Sequence, residues 1–124
     1  MSNMTLNFSR YEFACKCGCG LDSIDPILVN ILQDSRTATA LTYTISSGCR
    51  CYEHNTKEGG KSNSAHLKKA DGFTKGADIK CIGSQMRYKM VKDLITRFKR
   101  IEVCSSWIHV DIDSTLPQEV LLLE

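Results

Sequence analysis

Three side chains in this sequence are suited to hold a metal ion between them: His66, Asp78 and His109. His109 lies in "WIHVDID" (107–113), where Ile108, Val110 and Ile112 alternate with Trp107, His109, Asp111 and Asp113. Successive side chains of a strand point to opposite faces. A strand that buries its isoleucines therefore holds His109 and Asp111 together, and rigidly, on its other side. Asp78 belongs to a second alternating segment, "GADIK", and His66 to the polar loop before it, "SNSAHLKKADGFTK". Two neutral imidazoles and one carboxylate suit zinc and leave the fourth tetrahedral position for water. A structural zinc would fill all four positions, mostly with thiolate, so an open position implies a metal that acts on a substrate.

Elements are needed to position these groups. Asp25-Pro26 is an N-cap followed by proline at the first helical position, and Ile27, Leu28, Ile31 and Leu32 follow as a core-facing stripe. This predicts a helix to about Arg36. "LTYTISSG" (41–48) alternates Leu41, Tyr43 and Ile45 against polar residues, a half-buried strand ended by Gly48. Residues 49–73 read mainly as loop with one short helical turn. "GADIKCI" predicts a second strand with Ala77, Ile79 and Cys81 on one face and Asp78 and Lys80 on the other. Ser84 is expected to cap a second helix, on which Met86, Met90, Val91, Leu94, Ile95 and Phe98 recur at helical spacing. Strands follow at about 100–104 and 107–113. Residues 8–20 read as an irregular opening with Phe8, Tyr11 and Phe13 available for packing, and the closing "EVLLLE" gives no readable role. Strands and helices out of strict alternation predict an α+β fold: two main helices and a small, mostly antiparallel sheet.

A length of 124 residues fits one domain over 1–124. Hydrophobic content of 42% and charged content of 24% are those of an ordinary globule. The net charge of +2, with acids and bases interspersed, gives no electrostatic case for nucleic acid or an anionic membrane as partner. The one basic cluster, Lys89, Lys92, Arg97, Lys99 and Arg100, reads as a solvated helix face and its continuation. No apolar run has the length of a membrane span. The N-terminus lacks the basic start and apolar stretch of a secretory signal, so synthesis in the cytosol and another route of delivery are expected. The seven cysteines fall at Cys15, Cys17, Cys19, Cys49, Cys51, Cys81 and Cys104, with no C-x-x-C pair. In an extended segment C-x-C-x-C places three sulfurs on one face. They could meet Cys49 and Cys51 as a disulfide or a small structural metal site; the reading adopted is reduced thiols packed as small hydrophobes.

"SSGCRCYEHN", "GGKSNSAH", "GADI" and "WIHVDID" occur in that order. Together they resemble the zinc D-alanyl-D-alanine carboxypeptidase family, which shares its fold with the hedgehog signalling domain. The opening "FSRYEFACKCGCG" resembles the start of small phage-borne and bacterial members, and the likeness covers roughly residues 8–113. It implies a zinc peptidase that cleaves bonds next to D-amino acids in peptidoglycan stem peptides, acting as a D,D-carboxypeptidase or an endopeptidase. It also implies a monomeric, lysin-like protein that reaches the cell wall after release or as part of a phage virion. The resemblance assigns zinc to His66, Asp78 and His109, substrate contact to Ser64 and Arg50, and oxyanion stabilisation to Arg50. The sequence departs from the family's S-x-H-x-x-G-x-A-x-D spacing through the insert "LKKADGFTKGA", which makes Asp71 a rival to Asp78. Asp78 is favoured because "GADIK" reads as strand and "KADG" as turn. Where many relatives carry a carboxylate three residues before the last histidine, this sequence has Ser106. Asp111 and, after it, Glu102 are then the candidates for general base, with support of a ligand an equal reading of Asp111. His54 is expected to make a structural hydrogen bond near Asn55. Two other classes stay open: a non-catalytic zinc module of the same fold, and a cysteine-rich metal or nucleic-acid binder built on Cys15, Cys17, Cys19, Cys49 and Cys51.

Overall fold

A computed structural model describes residues 3–124. The reading of the N-terminus as leaderless includes Met1 and Ser2, which lie outside the described residues. Helix α1 spans Pro26–Thr39, and the Asp25 carboxylate accepts from the Ile27 N–H, as the sequence predicts for an N-cap ahead of proline. Its buried stripe is Leu28, Val29, Leu32 and Ser35, so Ile27, expected to face the core, is instead 62% exposed. The stripe runs through Leu28, Leu32 and Ser35 at helical spacing, and its polar last member is satisfied: Ser35 Oγ lies 2.7 Å from the buried Tyr43 hydroxyl.

Strand β1 is Ile45–Ser47, shorter than the expected 41–48. Upstream of it the Tyr43 carbonyl accepts from Arg36 of α1, at 3.3 Å, rather than from a neighbouring strand. The short helix α2 spans Tyr52–Lys57, β2 Gly76–Lys80 and α3 Ser84–Leu94. Ser84 does not cap α3; the cap position belongs to Gly83, whose φ of 90° is one that glycine adopts without steric cost. Strands β3 (Arg100–Val103), β4 (Trp107–Asp111) and β5 (Val120–Leu123) complete the chain. The unread tail "EVLLLE" thus supplies an edge strand.

The sheet order is β1-β2-β4-β3-β5, antiparallel except for the parallel β3–β5 pair, which bears out the α+β expectation. One face of β2 and β4 carries Ala77, Ile79, Ile108 and Val110, all fully buried, in one cluster with Leu28 and Leu32 of α1 and Met90 and Leu94 of α3. Burying an aliphatic side chain of this size stabilises by about 1.5–3 kcal/mol, so the two central strands are the most firmly held part of the sheet. Phe8 and Phe13 of the opening segment join the cluster, while Tyr11 stays exposed. Among the described residues no helix is long and apolar enough to cross a membrane.

Candidate metal centre

The register of the central strands decides what stands on the sheet's other face. Asp78 of β2 pairs with His109 of β4, and His109 pairs with Glu102 of β3. Directly opposed residues share a face, so Asp78, His109 and Glu102 form one row across three strands. His66 reaches the row from the loop, because the Arg50 N–H donates to the His66 carbonyl at 2.9 Å and holds that loop beside the end of β1. One ligand atom from each of His66, Asp78 and His109 falls within 4.8 Å of the others, and the two imidazole centroids are 5.0 Å apart.

Each imidazole has one nitrogen committed outward and one turned inward. His66 Nδ1 is 2.7 Å from the Gly48 carbonyl, to which it donates, leaving Nε2 facing Asp78 Oδ1 at 3.2 Å. His109 does the reverse: Nε2 is 2.7 Å from Asp111 Oδ2, and Nδ1 faces Asp78 Oδ1 at 2.8 Å. Orientation of a ligating imidazole by a carbonyl or carboxylate on its other nitrogen is a common device of metal sites. Burial pushes the Asp78 carboxyl up, but hydrogen bonds from His109 and His66 outweigh it and hold Asp78 well below the usual carboxylate range. Burial likewise pushes His109 down, and the Asp111 and Asp78 carboxylates reverse this, lifting it to about 9. The His109 ring is thus flanked by a carboxylate on each edge, Asp111 at Nε2 and Asp78 at Nδ1. The donor set, two imidazoles and a carboxylate with inward lone pairs, fits zinc.

Asp111 is 1% exposed and both its oxygens are engaged. Oδ2 takes His109, while Oδ1 accepts from Arg100 Nε at 2.8 Å and from the Asp113 N–H at 3.1 Å. Arg100 is therefore no part of a solvated helix face, as the sequence reading had it; it sits in the cleft and also donates to the Pro117 carbonyl at 2.6 Å. The signal was present in "RIEV", whose alternation puts Arg100 and Glu102 on the same side. Glu102 lines the cleft and makes no hydrogen bond to the metal-facing atoms.

The cleft measures about 630 Å³ and is open to solvent. Arg50 and Ser64 line it beside the three candidate ligands, as do Trp107 of β4 and Leu122 of β5. An Arg50 terminal nitrogen is 3.7 Å from Asp78 Oδ2, while its Nε donates to Ser47 Oγ at 3.2 Å. Ser64 Oγ accepts from the His66 N–H at 3.2 Å and so shapes the turn that presents the histidine. Asp71 lies elsewhere, exposed, paired with Lys75 and accepting from the Phe73 N–H; it does not reach the cluster. His54 stands 3.6 Å from Glu58 one turn along α2. Gly76 was not singled out by the sequence, yet it is required: a Cβ there would lie 2.9 Å from Ala65 Cβ and 3.1 Å from His109 Cε1.

Residues 6–111, most of the chain, match the family model described as Peptidase M15. No curated protein matches the chain.

Proposed function

The chain belongs to the peptidase M15 family, the zinc D-alanyl-D-alanine carboxypeptidase type, and on that footing we propose that it hydrolyses peptide bonds next to D-amino acids in peptidoglycan stem peptides. Family membership makes it a peptidase. The observation that carries the finer reading is the inward-facing set of His66 Nε2, His109 Nδ1 and the Asp78 carboxylate at the floor of an open cleft.

In this reading His66, Asp78 and His109 hold zinc, which when bound acidifies water and polarises a carbonyl. Asp111 fixes the His109 ring and keeps its Nδ1 inward, with Arg100 holding Asp111 in turn. Because both Asp111 oxygens are occupied, the general base falls to Glu102, the carboxylate cross-strand from His109 with no such ties. Glu102 accepts the proton of the attacking water and returns it to the leaving amine. Arg50, on the far side of Asp78, places a cation where negative charge develops on the carbonyl oxygen, a task for which one donor typically contributes about 2.7–4 kcal/mol. Ser64 presents His66 and offers its hydroxyl to the substrate backbone.

Purified protein incubated with cross-linked and uncross-linked muropeptides tests this. Chelator-sensitive release of D-alanine, or scission of the cross-link, is the expected result. Zinc held at the His66–Asp78–His109 centre with no turnover on any of these peptides overturns the enzymatic reading and leaves a zinc-binding module.

A further inference from the structure

A second constellation lies away from the cleft. Cys15, Cys17, Cys19 and Cys51 bring one sulfur each to within 4.8 Å of all the others. The Cys15–Cys17 sulfurs are 3.4 Å apart and the Cys17–Cys51 sulfurs 3.7 Å apart. Four sulfurs bound at about 2.3 Å to one tetrahedral zinc ion stand about 3.8 Å from each other. All seven cysteines are free thiols. From this convergence we infer that Cys15, Cys17, Cys19 and Cys51 form a structural tetrathiolate zinc site.

Three further features fit. Cys17 and Cys19 are exposed, so the reading of these thiols as packed hydrophobes does not account for them; it holds for Cys49, Cys81 and Cys104, which are buried. Cys49, grouped with the others from sequence, points into the core and stays out of the cluster. A disulfide sets its sulfurs about 2.05 Å apart, far closer than the 3.4 and 3.7 Å found here, and a sulfide-bridged iron cluster would spread the cysteines over two or four iron ions rather than gather them about one point. Backbone donors are also aimed at the sulfurs: the Cys51 N–H at Cys15 Sγ and the His54 N–H at Cys51 Sγ, each 3.4 Å. Such N–H groups favour the thiolate that a metal requires. The glycines of "CKCGCG" serve the wrap of the loop, since Gly18 and Gly20 have φ of 84° and 90° and nothing crowds them.

With all four positions filled by protein the ion has no open site and acts as a clamp. It joins residues 15–19 to Cys51, the N-cap of α2 and the neighbour of Arg50. The same two segments already meet where the Cys49 N–H donates to the Phe13 carbonyl at 2.8 Å, and where a Cβ on Gly48 would strike Phe13 at 2.7 Å. The clamp thus steadies the stretch that supplies the Gly48 carbonyl to His66 and the Arg50 side chain to the cleft. This inference does not depend on the peptidase reading, because it rests on different residues.

Metal content of the full chain, purified under a phosphine reductant, tests it. The wild type is expected to hold two zinc ions, and His66→Ala/His109→Ala to keep one. Cys17→Ser/Cys19→Ser, which alters two exposed side chains and leaves the core intact, is also expected to keep one. Cobalt(II) loading should give thiolate charge-transfer bands that persist in the histidine variant and disappear in the cysteine variant. Loss of all metal from the histidine variant overturns the proposal. So does wild-type metal content in the cysteine variant, or a fully reduced wild-type protein that holds no zinc. If the cysteine variant does not fold, the histidine variant's metal content and cobalt spectrum still decide.

Discussion

At His109 the two ring nitrogens are given opposite tasks by two carboxylates, Asp78 toward the metal position and Asp111 behind the ring. Losing the rear partner should leave the ligands in place but free the ring to turn. Asp111→Asn is accordingly expected to weaken zinc binding at this centre 10–100-fold, read by competition with a chromogenic chelator. Glu102→Gln should do the opposite, retaining zinc while lowering kcat by about 10²–10⁴; unchanged turnover would remove Glu102 as the base. Acid–base behaviour of the chelated protein gives an independent check. His109 is raised to about 9 from its ordinary 6.5 by its two carboxylates against the effect of burial. The protonated ring therefore stabilises the metal-free fold fully below about pH 6.5, and that contribution is lost as pH rises through about 9. A decline on the order of 3 kcal/mol is expected across this window, measured by urea unfolding in chelator. Asp78, shifted down, is ionised throughout that range and does not contribute to the change. The placement of Asp78 and His109 on one face was legible because a strand's alternation fixes which side chains share it, whereas His66, in the loop before β2, was picked out by its motif. Arg100 was missed because it was grouped with the basic helix before it, although the alternation of β3 places it on the same face as Glu102.

Elements hold the site to close tolerances where two of them touch without intervening side chains. Gly76 is such a point, at the start of β2, paired with Asp111 and lying under Ala65 and the His109 ring. The methyl group of Gly76→Ala would have to displace Ala65, which precedes His66, or the His109 imidazole. Overpacking of this kind costs about 1–3 kcal/mol. Here the strain falls on two candidate ligands, His109 directly and His66 through Ala65, so zinc affinity should fall along with stability, whereas a lesion in the apolar face such as Ile108→Val should lower stability alone by about 0.5–1.5 kcal/mol. Parallel chelator titrations and urea unfolding of the two variants separate these outcomes. Helix α1 and strand β4 could be read from sequence because their periodicity and capping are local properties. Strand β5 could not. Its pairing to β3 is parallel and comes from a distant partner, and "VLLL" has no alternation to signal an edge strand whose leucines are largely exposed.

Across the whole molecule, the cleft is assembled from chain segments that only the folded state brings together: Gly48 and Arg50 after β1, His66 in the long loop, Asp78 in β2, and His109 in β4. An unfolded chain has no reason to hold three such distant ligands around one ion, so zinc bound there adds its binding free energy to folding. At a free zinc concentration of about a thousand times the dissociation constant, this amounts to about 4 kcal/mol. For a chain of this length the corresponding rise in Tm is on the order of 10 °C. The cysteine cluster would add a zinc response of its own, so the measurement belongs in the Cys17→Ser/Cys19→Ser background, where the histidine centre is the one left to respond. Zinc added to that chelated variant should raise Tm by the stated amount. The same additions should leave Tm unmoved once His66→Ala and His109→Ala are also present. Equal responses in the two proteins would mean that zinc acts elsewhere on the fold, and that these imidazoles and Asp78 are held together by hydrogen bonds alone.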